Sequence, residues 1–141
     1  MFIERKIYHQ LKKHLSQKQI TVITGIRRSG KTTILKQLLS EIKSPNQLYL
    51  DFQRLDNREL FGEKNYDNIV RSLSEQGLDF GRKTYLGLDE MQLVPEATSV
   101  LKYLYDHYNI KFIITGSSSF YLKNLFSESL SGRKKIFVWE C

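Results

Sequence analysis

The sequence predicts a three-layer α/β/α domain, in which a parallel sheet lies between two layers of helices. Short β-branched or apolar segments alternate with longer ones whose apolar residues recur at helical spacing. Polar residues follow several of these predicted strands at their carboxyl ends, where parallel sheets bind their ligands. The chain has 141 residues and is 40% hydrophobic. These values predict one domain spanning residues 1–141.

The first predicted elements surround a glycine-rich loop. An amphipathic helix is expected over about residues 2–16, because apolar residues recur there at helical spacing between basic ones. The β-branched run Ile20–Thr24 predicts a buried strand. A helix is expected from about Gly30, and Ser44-Pro45-Asn46 ends it. The loop therefore lies at a strand-to-helix junction.

The rest of the chain repeats this alternation of strands and helices. The predicted elements are a strand at 48–52, a helix at 65–76, a strand at 84–88, a helix after Pro95, a strand at 111–115, a short helix, and a strand at 135–139. Gly87 takes a strand position where a large apolar residue would pack better. We expect it either to loosen its strand or to allow a helix to pack closely.

Residues 25–32 read Gly-Ile-Arg-Arg-Ser-Gly-Lys-Thr, which fills every position of the phosphate-binding pattern G-x-x-x-x-G-K-[ST]. The glycines let the backbone wrap a phosphate, Lys31 reaches the outer phosphates, and the Thr32 hydroxyl faces Mg²⁺. Backbone amides do most of the binding, so we expect the Arg28 side chain to point outward. The predicted nucleotide-binding residues are Gly25, Arg28, Ser29, Gly30, Lys31, Thr32 and Thr33.

The Asp89-Glu90 pair at a strand end predicts a metal ligand and a base. Asp89 would hold Mg²⁺ with Thr32, and Glu90 would polarise the attacking water. Such a pair alone is more often a helix cap, but the complete loop upstream favours the catalytic interpretation. Ser117 and Ser118 follow the next strand and could contact the γ-phosphate or the catalytic water, or else cap the following helix.

The composition of the chain indicates which binding partners and which cellular compartment to expect. The formal net charge of +7 is spread along the chain. This distribution favours a solvated basic surface, with contact to nucleic acid as the alternative interpretation. The only cysteine is Cys141, so an internal disulfide is excluded. Charges stand where a signal peptide needs apolar residues, and apolar runs are short, so we expect a cytoplasmic protein without membrane contact. The GTPase motif Asn-Lys-x-Asp is absent, which favours ATP.

Four segments resemble, in order and spacing, the ATPase domain of the prokaryotic AAA+ ATPases that carry a C-terminal domain of unknown function. The segments are Ile23–Thr33, Leu88–Gln92, Ile114–Ser118 and Leu130–Arg133. The resemblance implies an AAA+ core with sheet order 5-1-4-3-2, the metal and base roles of Asp89 and Glu90, and a polar sensor at Ser117 or Ser118. It also implies an arginine finger at Arg133, offered to a neighbouring subunit; where measured, such fingers are worth roughly 10³ to 10⁵ in rate.

Proteins of that family continue through a helical lid, a winged-helix-like segment and a nuclease-like region, whereas this chain ends at Cys141. We expect a truncated gene product or an isolated core with no lid domain. The leading hypothesis is a Mg²⁺-dependent ATPase core whose partners are ATP and ADP, with further copies of the chain and nucleic acid as additional candidates. The alternatives are a nucleotide-gated switch without useful turnover, a basic nucleic-acid-binding module, and a P-loop kinase.

Overall fold

The computed structural model describes residues 5–25, 30–117 and 132–139. Its helices are α1 (Arg5–His14), α2 (Lys31–Glu41), α3 (Leu55–Phe61), α4 (Tyr66–Glu75) and α5 (Thr98–His107). Its strands are β1 (Ile20–Thr24), β2 (Gln47–Asp51), β3 (Thr84–Asp89), β4 (Ile110–Gly116) and β5 (Lys134–Val138). Two 3-10 turns, Met91–Leu93 and Pro95–Ala97, connect β3 to α5.

All five strands are parallel and lie in the order β2-β3-β4-β1-β5. This order is the predicted 5-1-4-3-2, taken from the opposite edge. Thr24 lies beside Gly116, and Asp51 lies beside Asp89. The carboxyl ends of four neighbouring strands therefore meet along one edge of the sheet. The predicted α/β fold is confirmed.

Two apolar cores cover the two faces of the sheet. One contains buried residues of α4 and α5 with Phe61 of α3, and Val22 of β1 points into it. The other contains Leu11 of α1 and the apolar face of α2, and Ile23 of β1 points into it. Adjacent residues of a strand face opposite sides. The buried strand β1 can therefore supply both cores, which gives three layers.

Helix α3 was not predicted from the sequence. Phe61 is buried, whereas Leu55 is 64% exposed. The seven residues of α3 therefore present no continuous buried face that an apolar repeat in the sequence would reveal. The helix is held partly by polar contacts, since the Arg58 side chain donates to the Phe52 and Gln53 carbonyls. The short helix predicted before the fifth strand lies outside the described residues.

Gly87 allows close packing between α2 and β3. A Cβ atom built at Gly87 would lie 2.7 Å from Leu39 Cδ1 and 3.2 Å from Leu35 Cδ1. Both leucines belong to α2 and are buried. Of the two roles expected for this glycine, the structure shows the close approach of a helix.

None of the helices within the described ranges is long and apolar enough to cross a bilayer.

Candidate nucleotide-binding site

Strand β1 and helix α2 flank the phosphate-binding pattern. Every residue of β1 is buried, and the strand ends at Thr24, directly before Gly25. Gly30 precedes α2 with φ 92°, a left-handed conformation that glycine adopts without steric cost. The intervening residues 26–29, which include the predicted residues Arg28 and Ser29, lie outside the described part of the chain.

Lys31 begins α2 and is only 4% exposed. Its Nζ donates to the Gly25 carbonyl oxygen over 3.2 Å, which closes the loop between its two ends. The N-terminus of a helix directs unpaired N–H groups and the positive end of its dipole at an anion. The Lys31 ammonium group and this helix end therefore both place positive charge at the loop. Thr33 lies exposed in the first turn of α2.

The Asp89 carboxylate, which is 2% exposed, accepts three hydroxyl hydrogen bonds. Thr32 Oγ1 and Tyr49 OH donate to Oδ2 over 2.8 Å and 2.6 Å. Thr115 Oγ1 donates to Oδ1. Burial, and then the hydrogen bond to Asp89, raise the pKa of Tyr49 above its usual value. The phenol is therefore protonated and donates at neutral pH.

The residues at Asp89 fit a magnesium ion. A threonine hydroxyl and a carboxylate oxygen are hard oxygen ligands, and here they lie 2.8 Å apart. In nucleotide sites Mg²⁺ takes one or two protein oxygens, and phosphate and water complete its coordination. A dense acidic cage is therefore not needed, and the described residues contain no group of three or more potential His, Cys, Asp or Glu ligands.

Glu90 has a strained backbone and a side chain bound by two neighbours. Its φ of 64° and ψ of 50° are left-handed, which for a residue other than glycine costs on the order of 1 kcal/mol or more. Its backbone N–H donates to Thr115 Oγ1 over 3.0 Å. Ser117 Oγ lies 3.0 Å and 3.2 Å from the two carboxylate oxygens, and Gln92 Nε2 donates over 3.3 Å. These bonds hold the Glu90 carboxylate beside the end of β4.

The structure brings five of the predicted side chains to one edge of the sheet, but not Arg133. The five are Lys31, Thr32, Asp89, Glu90 and Ser117. Arg133 directly precedes β5, whose first residue lies beside Ile20 at the start of β1. Its guanidinium binds the Asp106 carboxylate over 3.0 Å at the opposite edge. Arg133 therefore does not reach the site of its own chain, and its action on a neighbouring subunit stays a prediction.

Three residues of this cluster were missed in the sequence: Tyr49, Thr115 and Gln92. Tyr49 and Thr115 lie inside predicted strands, where the local sequence pattern does not distinguish them from other strand residues. Gln92 follows the Asp-Glu pair, and its Oε1 accepts from the Ser117 N–H over 3.2 Å. The sheet order together with strict alternation would have placed Tyr49 and Thr115 on the Asp89 face.

A phosphate loop after a central parallel strand, with an Asp-Glu pair two strands away, defines a P-loop NTPase domain. The family model described as an AAA domain matches residues 17–139, so the chain belongs to this family. At family level it is a nucleotide-binding ATPase domain.

Two curated relatives are uncharacterized proteins. One, from Haemophilus influenzae, is 29% identical over 119 residues, which cover 81% of this chain and 29% of the relative. The other, from Methanocaldococcus jannaschii, is 32% identical over 111 residues, which cover 76% of this chain and 23% of the relative. The chain thus spans less than a third of the length of either relative.

Solved structures share the fold. A Walker-type ATPase of Pyrococcus abyssi has a TM-score of 0.66 at 19% identity, over 99% of this chain and 53% of that one. The Pif1 helicase of Candida albicans has a TM-score of 0.65 at 15% identity, over 99% of this chain and 40% of the helicase chain. A chain of Drosophila ORC bound to DNA has a TM-score of 0.63 at 14% identity, over 96% of this chain and 91% of the ORC chain. At these identities the likeness concerns the fold alone.

Proposed function

We propose that this domain binds ATP together with Mg²⁺ and hydrolyses it to ADP and phosphate. The observation that carries the proposal is the 2.8 Å hydrogen bond between Thr32 and Asp89, which joins the start of the loop helix to the end of β3. Glu90 follows immediately at the same edge, with Ser117 on its carboxylate. Thr32 and Asp89 would hold Mg²⁺, which would supply positive charge that neutralises the negative charge of the phosphates.

Each side chain has a separate task in this proposal. Lys31 and the N-terminus of α2 bind the phosphates, and Thr32 and Asp89 supply the metal-binding oxygens. Glu90 accepts a proton from a water molecule as that water attacks the γ-phosphorus. The bond from the γ-phosphorus to its bridging oxygen breaks, and the electron pair leaves with ADP. Ser117 orients the Glu90 carboxylate toward the water.

Two substitutions test binding and hydrolysis separately. Lys31→Ala should abolish ATP binding measured by titration calorimetry, because the ammonium group at the loop is lost. Glu90→Gln should retain ATP and slow phosphate release by about 10²- to 10⁴-fold, because the base is lost. Lys64→Ala and Glu96→Gln change the same residue types at exposed positions and should behave as wild type. A wild-type chain that binds no nucleotide would refute the proposal.

A nucleotide-gated switch is a second candidate, and the hydrogen bonds to Glu90 favour it. The Glu90 carboxylate is bound by Ser117 and Gln92, so it accepts from protein groups where a base would accept from water. In a switch, Glu90→Gln would leave a slow basal turnover almost unchanged, and ATP would alter the oligomeric state or the affinity for a partner. Turnover near 1 s⁻¹ or above, the range of ordinary enzymes, would contradict the switch.

The proposal extends to two binding partners, nucleic acid and further copies of this chain. The net charge of +7 and the shared fold with ORC bound to DNA and with Pif1 helicase support nucleic acid as a further ligand. Affinity for DNA or RNA should then fall steeply as salt rises. Self-association with ATP would allow Arg133 to reach a neighbouring site. The lone cysteine, Cys141, supports a reducing, cytoplasmic setting.

A further inference from the structure

We propose that Tyr49 is a positioning residue for the magnesium carboxylate: its hydroxyl, acting with that of Thr115, fixes the orientation of Asp89. The inference rests on the proposed function, since it assigns Mg²⁺ to Thr32 and Asp89. It adds a role for two strand residues on either side of β3.

The contacts hold the Asp89 carboxylate from both sides. Tyr49 lies on β2 and Thr115 on β4, the two strands that flank β3. Tyr49 OH donates to Oδ2 over 2.6 Å, and Thr115 Oγ1 donates to Oδ1. Rotation of the carboxylate about its Cβ–Cγ bond would break both bonds. Thr32, at the start of α2, donates to the same Oδ2 atom over 2.8 Å.

The Tyr49 ring is anchored separately from its hydroxyl. Tyr49 lies beside Gly87 in the β2–β3 register and packs against the core under α2. Lys36 Nζ of α2 lies 5.0 Å from the centre of the ring, a cation–π contact. Phenylalanine at this position retains the ring and its packing. Tyr49→Phe therefore removes one donor from Asp89 and little else.

A positioning role and a structural role make different predictions. If Tyr49 orients the metal carboxylate, its hydroxyl matters for ATP binding only when Mg²⁺ is present. If the hydroxyl merely stabilises the fold, the variant should melt earlier, and its ATP affinity should not depend differently on Mg²⁺. The comparison of ATP affinity with and without Mg²⁺ thus separates the two roles.

The experiment measures the Kd for ATP of the full chain by titration calorimetry, once with excess Mg²⁺ and once with EDTA. Tyr49→Phe should weaken Mg²⁺–ATP binding about tenfold, the effect of losing a hydrogen bond to a charged group, and leave binding in EDTA unchanged. Higher Mg²⁺ should restore part of the affinity. Tyr85→Phe, which alters another tyrosine at the opposite end of β3, should match wild type in both buffers.

Thr115→Val provides a second variant, with Thr115→Ser as its control. It removes the donor to Asp89 Oδ1 together with the acceptor of the Glu90 N–H, and it should produce the same Mg²⁺-selective loss, whereas serine keeps the hydroxyl. If Tyr49→Phe and Thr115→Val bind Mg²⁺–ATP within twofold of wild type, or lose equal affinity in both buffers, the positioning role is refuted. If wild type itself binds no ATP, or binds it equally with and without Mg²⁺, the proposed function fails instead.

Discussion

Replacing Gly87 by alanine would test whether the close packing of α2 on β3 depends on the missing side chain. The new Cβ would lie 2.7 Å from Leu39 Cδ1 and 3.2 Å from Leu35 Cδ1. Carbon atoms in contact prefer about 3.5–4.0 Å, so at least one leucine must move. Leu39 is 5% exposed and Leu35 is fully buried, so neither side chain can swing into solvent.

Two opposing effects set the size of the change in stability. Overpacking a buried site costs about 1–3 kcal/mol. Alanine also restricts the unfolded chain, which restores about 0.5–1 kcal/mol of the entropy that Gly87 loses on folding. The net expectation is a loss of about 0–2.5 kcal/mol in the free energy of unfolding, which corresponds to a fall in Tm of up to roughly 10 °C. Gly87→Val adds two more carbon atoms and should cost more.

The assay is urea unfolding of the single and double variants with Leu39→Ala. Leu39→Ala alone should cost about 2–5 kcal/mol, because it leaves a cavity. In that background the added methyl group at Gly87 has room, so Gly87→Ala should become neutral or stabilising. A coupling energy of at least about 1 kcal/mol is therefore expected. The reasoning is refuted if Gly87→Ala stabilises the wild-type chain, or if its cost is the same in both backgrounds.

Two further predictions concern buried polar groups. Thr24 Oγ1 is buried without a hydrogen-bond partner in the part of the chain that the structure describes, whereas Thr21 Oγ1 lies 2.6 Å from His14 Nδ1. Thr24→Val should therefore raise the free energy of unfolding in urea by about 1 kcal/mol and Thr21→Val lower it by about as much; changes of the same sign would contradict this. Lys111 is 1% exposed and donates to the Gln19 carbonyl, and burial, followed by neighbouring lysine charges, lowers its pKa from 10.5 to about 7. Between pH 7 and 10.5 the unfolded chain then binds more protons than the folded chain, so the free energy of unfolding should rise with pH by as much as a few kcal/mol. Lys111→Met should flatten this rise. The prediction is refuted if the free energies of unfolding of wild type and variant change in parallel with pH.

Local patterns in the sequence were sufficient to predict the strands, α2 and the loop. The run Ile20–Thr24 is β-branched and fully buried, and the loop pattern is specified by eight adjacent residues. The role of Tyr49 could not be predicted in this way. Its partner Asp89 is 40 residues away, and the contact exists only because β2 lies beside β3. The left-handed backbone of Glu90 is likewise imposed by its surroundings, because glutamate has no local preference for it.

The position of Arg133 follows from the direction of its strand. In a parallel sheet, a residue that precedes a strand lies at the edge opposite to one that follows a strand. Asp89 ends β3 and Ser117 follows β4, whereas Arg133 precedes β5. Its backbone oxygen accepts from the Ile20 N–H over 2.7 Å, at the start of β1. A parallel fifth strand therefore places Arg133 at the edge of the sheet opposite to Asp89 and Ser117 of its own chain.

Gly87, which allows close packing of α2, and the hydrogen-bonded Asp89 carboxylate lie on the same face of the sheet, which α2 covers. Gly87 and Asp89 are two residues apart on β3, so they share this face. The absent side chain lets α2 lie close to β3, and Thr32 in the first turn of α2 then reaches Asp89. Gly87→Ala should consequently reduce both stability and Mg²⁺-dependent ATP affinity, since displacing α2 separates the Thr32 and Asp89 oxygens that we propose bind Mg²⁺. Tyr49→Phe should reduce the Mg²⁺-dependent affinity with little loss of stability, because the ring still fills its place beside the glycine.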